Sequence, residues 1–137
     1  MGVDPGHKRI GIALSDISGN FPKPLCILEH ESRKTDARNI VNLAIKQGVE
    51  KIVMGISLDE NNQPTPIGEN ALRLADEVRS QTNLPVILWD EFETTRLAKK
   101  TLIEMGVKRN KRKGHHDDMA AAILLQSFIE SIIEEIN

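Results

Sequence analysis

With 137 residues, 28% of them charged and 39% hydrophobic, the chain has the size and balance expected of one soluble globular domain, residues 1–137, which excludes a disordered composition. One cysteine, Cys26, excludes an intrachain disulfide or a cysteine-built zinc site, and the longest apolar run, 119–125, is too short to span a bilayer; with no signal-peptide pattern, the expected setting is the cytoplasm. The formal net charge of −2 would not suggest a polyanionic partner, but five of the six residues in 108–113 are cationic, so the positive charge is concentrated in one place.

In chain order, Met1, Gly2 and Val3 leave room for only a very short opening strand before Asp4, an unusual length for the middle of a sheet. Residues 10–15 (I-G-I-A-L-S) and 25–29 (L-C-I-L-E) are apolar strand candidates on either side of a turn-rich S-G-N-F-P-K-P stretch. Ala37, Ile40, Val41, Ala44 and Ile45 then repeat at helical spacing up to a stop at Gly48. Residues 51–54 (K-I-V-M) form the next strand, and a polar loop leads to a second helix marked by Ile67, Ala71, Leu74, Ala75 and Val78, with Glu69 and Arg73 spaced as a surface ion pair. The 85–89 stretch is apolar on both faces, which predicts a central strand covered by helices on either side. A third helix is expected over about 94–105, and a fourth over about 117–135 with Leu125, Phe128, Ile129, Ile132, Ile133 and Ile136 as its apolar stripe.

That order, three strands and then alternation, predicts an α/β domain with a mixed sheet. Ligands of such sheets bind beyond the carboxyl ends of the parallel strands. Asp4 follows the first strand and Glu91 the last, so both should reach that edge, and Asp117 stands at the start of the final helix. Three carboxylates there suit divalent cations, and beside a basic cluster they suit phosphodiester chemistry. Taken singly, each residue has a plainer reading. Asp4-Pro5-Gly6 is a turn signal, Asp117 or Asp118 can cap a helix, and 108–113 can be a solvated loop. Asp90 competes with Glu91, although side-chain alternation lets only one of them face the site. Thr94 and Thr95 read as helix caps, Glu93 as a first-turn residue, Asp16 as a turn carboxylate, His115 and His116 as loop residues and Trp89 as core. Lys8, Arg9, Lys108, Arg109, Lys111, Arg112 and Lys113 are the candidate phosphate contacts. Aromatic residues are only 3% of the chain, too few for a base-stacking platform, so any nucleic acid would be held mainly by its backbone.

The segments D-P-G-H-K-R-I-G-I-A-L-S-D, D-E-F-E-T-T-R-L-A and D-D-M-A-A-A-I-L-L-Q-S-F resemble the three signature blocks of the YqgF/RuvX family, the pre-16S ribosomal RNA nucleases also described as Holliday-junction-resolvase-like proteins. The resemblance runs in order over essentially the whole chain. It implies a ribonuclease-H-like fold, a mixed five-stranded sheet with helices on both faces, and a cytoplasmic nuclease maturing the 5′ end of 16S ribosomal RNA. It also implies that Asp4, Glu91 and Asp117 are the catalytic carboxylates and hold two Mg²⁺ or Mn²⁺ ions. Three departures stand out: Phe92 replaces the arginine common after D-E, the G-x-P loop appears as Gly55-Ile56-Ser57 without its usual following glycine, and the opening strand is short.

The expected partner is nucleic acid, pre-rRNA or alternatively a four-way DNA junction, with ribosomal precursor particles as a further partner and a monomer or homodimer as the assembly. Two readings from other classes remain. The D-P-G-x-x-x-x-G stretch is also similar to the first phosphate loop of actin-like ATPases, which need two lobes where this chain supplies one. A non-catalytic nucleic-acid-binding or ribosome-associated factor would have little use for three gathered carboxylates.

Overall fold

The computed structural model describes residues 1–16, 22–90 and 116–136, with the side chains of the last stretch described from Met119 to Glu135. In chain order the elements are β1 (Gly2–Pro5), β2 (Arg9–Leu14), β3 (Lys23–Glu29), α1 (Arg33–Gln47), β4 (Ile52–Ile56), α2 (Pro66–Gln81), β5 (Val86–Asp90) and α3 (His116–Ile136). The five strands form one mixed sheet in the order β3-β2-β1-β4-β5. β1 pairs antiparallel with β2 and parallel with β4, and β4 pairs parallel with β5. The expected helix over 94–105 lies outside the described residues.

Local chemistry sets the boundaries. Ser32 caps α1 by accepting the Thr35 amide at 3.2 Å, and Gly48 ends that helix in the left-handed conformation with φ 65. Thr65 caps α2 by accepting the Gly68 amide at 3.1 Å, and Pro66 follows within the first turn, where its missing N–H costs nothing. Pro24 is tolerated because β3 is an edge strand, and the register slips between Ile12 and Ala13 beside it.

Alternation along the strands sorts their side chains onto two faces. Val3, Ile10, Ile12, Ile52, Met54 and Val86 pack beneath α1 and α2, against Ile40, Ala44, Ala75 and Val78. Ala13 and Val53, joined by the half-buried Ile87 and Trp89, pack against Met119, Ala121, Ala122, Leu125 and Phe128 of α3. Helices therefore cover both faces of the sheet. Each fully buried isoleucine or valine contributes on the order of 1.5–3 kcal/mol of burial energy.

Three expectations need correction. β5 is the outer strand of the described sheet, not a central one, and it reads as apolar on both faces because Leu88 packs toward α1 and α2 while Ile87 and Trp89 pack toward α3. Asp4 lies within the short first strand, which is central in the sheet, and does not follow it. Among the described residues Glu69 and Arg73 form no ion pair within 4.0 Å, whereas Asp76 and Arg79 on the same helix do, at 3.3 Å. Among the described residues no helix is long and apolar enough to cross a membrane.

Candidate active site

The carboxyl ends of β1, β4 and β5 lie at one edge of the sheet, at Pro5, Ile56 and Asp90. β3 also runs parallel to β1, being antiparallel to β2, so α1 and α2 both begin at this edge. The path of α3 follows from its contacts. A β-carbon at Gly2 would meet the Ala121 carbonyl oxygen at 2.9 Å and Leu125 Cβ at 3.0 Å, so α3 crosses β1 in close approach at this glycine. Later residues of the helix, Phe128, Ile129 and Ile132, share a cleft with Met1 and Lys51 at the opposite edge. The helix therefore runs counter to β1, with its first turn toward the carboxyl edge.

That geometry carries Asp4. Gly2 faces α3, so Asp4, two residues on, faces the same way, half-buried. Its cross-strand partner is Gly11 on β2, and continuing the Val3–Met54 register by one step sets Gly55 of β4 on its other side. Both neighbours lack a side chain, so on the α3 face the Asp4 carboxylate stands in a row with a bare strand on each flank. Asp117 lies one helical turn before Ala121, about 6 Å along the helix axis, and Asp4 lies about 6.6 Å along the strand from Gly2. The two backbone positions thus come to the same level above the sheet edge.

Alternation along β5 gives Asp90 its face. Ile87 and Trp89 face α3, and Leu88 faces the other helices, so Asp90 belongs to the α1–α2 face. Trp89 is fixed by an edge-on contact with Phe128, centroids 5.4 Å apart, and by its Nε1 donating to Ser127 Oγ at 3.1 Å. Glu91 itself lies outside the described residues, as do Lys108, Arg109, Lys111, Arg112, Lys113, Phe92, Glu93, Thr94, Thr95 and His115. Of Asp117, Asp118 and His116 only the helical backbone is described. Among the described residues no three His, Cys, Asp or Glu side chains gather as a metal site. The Asp4 carboxylate is the kind of oxygen donor that a hard divalent ion takes, and the strand positions beside it on the α3 face are glycines.

Lys8 and Arg9 are exposed at the tight turn after β1, on the same edge. Arg9 Nε lies 4.0 Å from Glu29 Oε1, a weak surface pair. Gly6 is required by that turn, since a β-carbon there would meet the Arg9 carbonyl oxygen at 2.7 Å while its own amide donates to that oxygen at 2.9 Å. Asp16 lies at the opposite edge, in the cleft with Met1 and Lys51, because β2 runs counter to β1; it takes no part in the site. In the loop after β4, Asn62 adopts the left-handed conformation with φ 61.

The first 131 residues match the family model described as RuvX: Holliday junction resolvase. The chain belongs to the RuvX family. It is 37% identical over 131 residues to a protein of Desulforudis audaxviator, covering 96% of this chain and 93% of that protein, and 39% identical over 133 residues to one of Listeria innocua, covering 96% of each. Both carry the name "Putative pre-16S rRNA nuclease". Among solved structures, Thermus thermophilus RuvC in complex with a Holliday junction superposes with a TM-score of 0.66 at 15% identity, over 97% of this chain and 94% of that one. The fowlpox virus resolvase bound to Holliday junction DNA gives 0.55 at 16% identity, over 96% of each chain. These likenesses show that the chain shares its α/β fold with both of those proteins.

One feature of this edge escaped the sequence. The buried Asp36 of α1 binds His30 at the end of β3, Nδ1 to Oδ2 at 2.5 Å, and its Oδ1 accepts the Glu31 amide at 2.9 Å. A polar residue just ahead of the apolar repeat Ala37–Ile40–Val41, four residues before Ile40 on the same helix face, was the signal available.

Proposed function

We propose that this chain is a divalent-metal-dependent nuclease, a hydrolase of phosphodiester bonds, acting in the cytoplasm on the 5′ end of pre-16S rRNA during ribosome biogenesis. Its working unit is one ribonuclease-H-like domain over residues 1–137. The observation that carries the reading is the position of Asp4: on the central strand, facing α3, between Gly11 and Gly55, at the edge where the first turn of α3 arrives. Family membership and the names of the relatives support the substrate class.

In this reading Asp4, Glu91 and Asp117 hold the metals, Mg²⁺ or Mn²⁺, since hard oxygen donors without cysteine favour those ions. When bound, the ions supply an activated water and neutralise charge on the phosphate. Lys8, Arg9, Lys108, Arg109, Lys111, Arg112 and Lys113 neutralise flanking phosphates and fix the strand without reading bases. Water adds to phosphorus and the 3′ oxygen departs with a proton, leaving a 3′-hydroxyl and a 5′-phosphate.

A second substrate is favoured by a specific observation, the likeness to two resolvases solved with junction DNA. On a four-way junction the same carboxylates would cut two strands, which calls for a homodimer. Incubation of the purified chain and Mn²⁺ or Mg²⁺ with matched precursor-rRNA, single-stranded RNA and four-way-junction substrates tests both. Preferential cutting of the precursor near the 5′ end of 16S rRNA is expected. Preference for the junction would transfer the assignment to resolvase, and binding without cleavage of any of them would leave a non-catalytic factor.

A further inference from the structure

On the α1–α2 side of the same edge, behind β1, lies a cleft of about 450 Å³. Its polar lining comes from His7, His30, Ser32, Arg33, Asp36 and Asn70, over an apolar base that includes Ile10 and Leu74. We propose that this cleft is a second phosphate subsite, holding one phosphate of the nucleic acid while another lies at Asp4; the assignment rests on the nuclease reading given above.

The polar groups of the cleft are arranged for an anion. Asp36 is 3% exposed, and both its oxygens are engaged, by His30 Nδ1 at 2.5 Å and by the Glu31 amide at 2.9 Å. Its negative charge is therefore shared with those two donors. With Nδ1 committed to that carboxylate, Nε2 is the ring nitrogen of His30 that a ligand in the cleft can reach, and the side chain is 46% exposed. The His30 amide donates to the Lys8 carbonyl at 2.9 Å, which ties the turn bearing His7 to the end of β3 and keeps the two imidazoles on one wall. Arg33 is an exposed cation at the first position of α1, where the early amides of a 15-residue helix add a partial positive charge. Asn70, from α2, supplies an amide from the facing wall.

Pro5, Gly6 and His7 border this cleft and follow Asp4 directly in sequence. A strand whose scissile phosphate lies at Asp4 on the α3 face need only pass over the end of β1 to bring a neighbouring phosphate to His7, His30 and Arg33. Two clamps on either side of one strand end would set the direction of the nucleic acid as well as its affinity. None of these residues belongs to the 108–113 run.

The test follows the imidazole signals of His7 and His30 in ¹H–¹⁵N spectra of the full chain, assigned with His7→Asn and His30→Asn. The titrants are inorganic phosphate and one RNA oligonucleotide with either a 5′-phosphate or a 5′-hydroxyl. Both histidines should shift together and saturably with phosphate and with RNA. Arg33→Ala should weaken RNA binding about tenfold with an unchanged melting temperature, and His30→Asn, which keeps a donor for Asp36 but loses Nε2, should weaken it severalfold. Shifts with the 5′-phosphate form alone assign a terminal phosphate, and shifts with both forms an internal one. Silent histidines, unchanged affinity in Arg33→Ala, or a response to inorganic phosphate but to neither RNA would overturn the subsite. The readout needs no turnover, so moving histidines with no cleavage reject the nuclease reading alone, and cleavage with silent histidines rejects the subsite alone.

Discussion

Gly2 lies directly beneath Ala121: a β-carbon at position 2 would stand 2.9 Å from the Ala121 carbonyl oxygen, and Leu125 Cβ closes the other side at 3.0 Å. This approach fixes how far α3 slides along β1, and with it the level of the Asp117 backbone relative to Asp4. Gly2→Ala should push the helix away, costing about 1–3 kcal/mol as overpacking does and lowering the melting temperature by several degrees. Cleavage should fall more than the residual folded fraction explains. A Gly2→Ala protein with wild-type melting and activity would show that the contact does not set the site.

The three carboxylates should behave as one unit. Glu91→Gln and Asp117→Asn should each remove cleavage while the protein stays folded, since relieving the repulsion expected among the proposed ligands costs little stability. Asp118→Asn should be milder. Full activity in Asp117→Asn together with loss in Asp118→Asn would move the ligand by one position on α3.

How much of the fold and site is legible in the sequence depends on whether the signal is local. The helices over 33–47 and 66–81 show in their apolar spacing and in Gly48, whereas the caps Ser32 and Thr65 stand upstream of the first apolar residues and escape that pattern. The edge placement of β5 is invisible because its composition reports what covers its faces, not which strands flank it. Asp4 stands out as part of a motif, but its setting between Gly11 and Gly55 depends on strand register, which no single segment encodes. The same holds for His30 and Asp36, whose contact needs the turn from β3 into α1.

Metal removal is the third check. EDTA should silence the protein, and Mg²⁺ or Mn²⁺ should restore it. Ca²⁺ should bind yet support little turnover, since its looser coordination positions the water poorly. Cleavage that persists in EDTA would exclude metal-assisted hydrolysis.

The basic run should contribute grip and not chemistry. Removing one phosphate-binding cation should lower the slope of log affinity against log salt by roughly 0.7 for a single strand or 0.9 for a duplex. Changing Lys111, Arg112 and Lys113 together to Ala should flatten the slope and weaken all sequences about equally, with the rate at saturating substrate changing less. An unchanged slope would return the run to a solvated loop and leave Lys8 and Arg9 as the main phosphate contacts.

The most direct test of the site compares Asp4→Asn with Asp90→Asn, two single-atom-scale changes on opposite faces of one sheet edge. Cleavage of the precursor-rRNA substrate in Mn²⁺ is measured at equal concentrations of folded protein. Asp4→Asn should lose at least about a hundredfold in rate, on the order of 3 kcal/mol of transition-state stabilisation, while Asp90→Asn stays within a few-fold of the unaltered chain. Retained cleavage in Asp4→Asn, or an equal loss in Asp90→Asn, would contradict the assignment of the chemistry to the α3 face of β1.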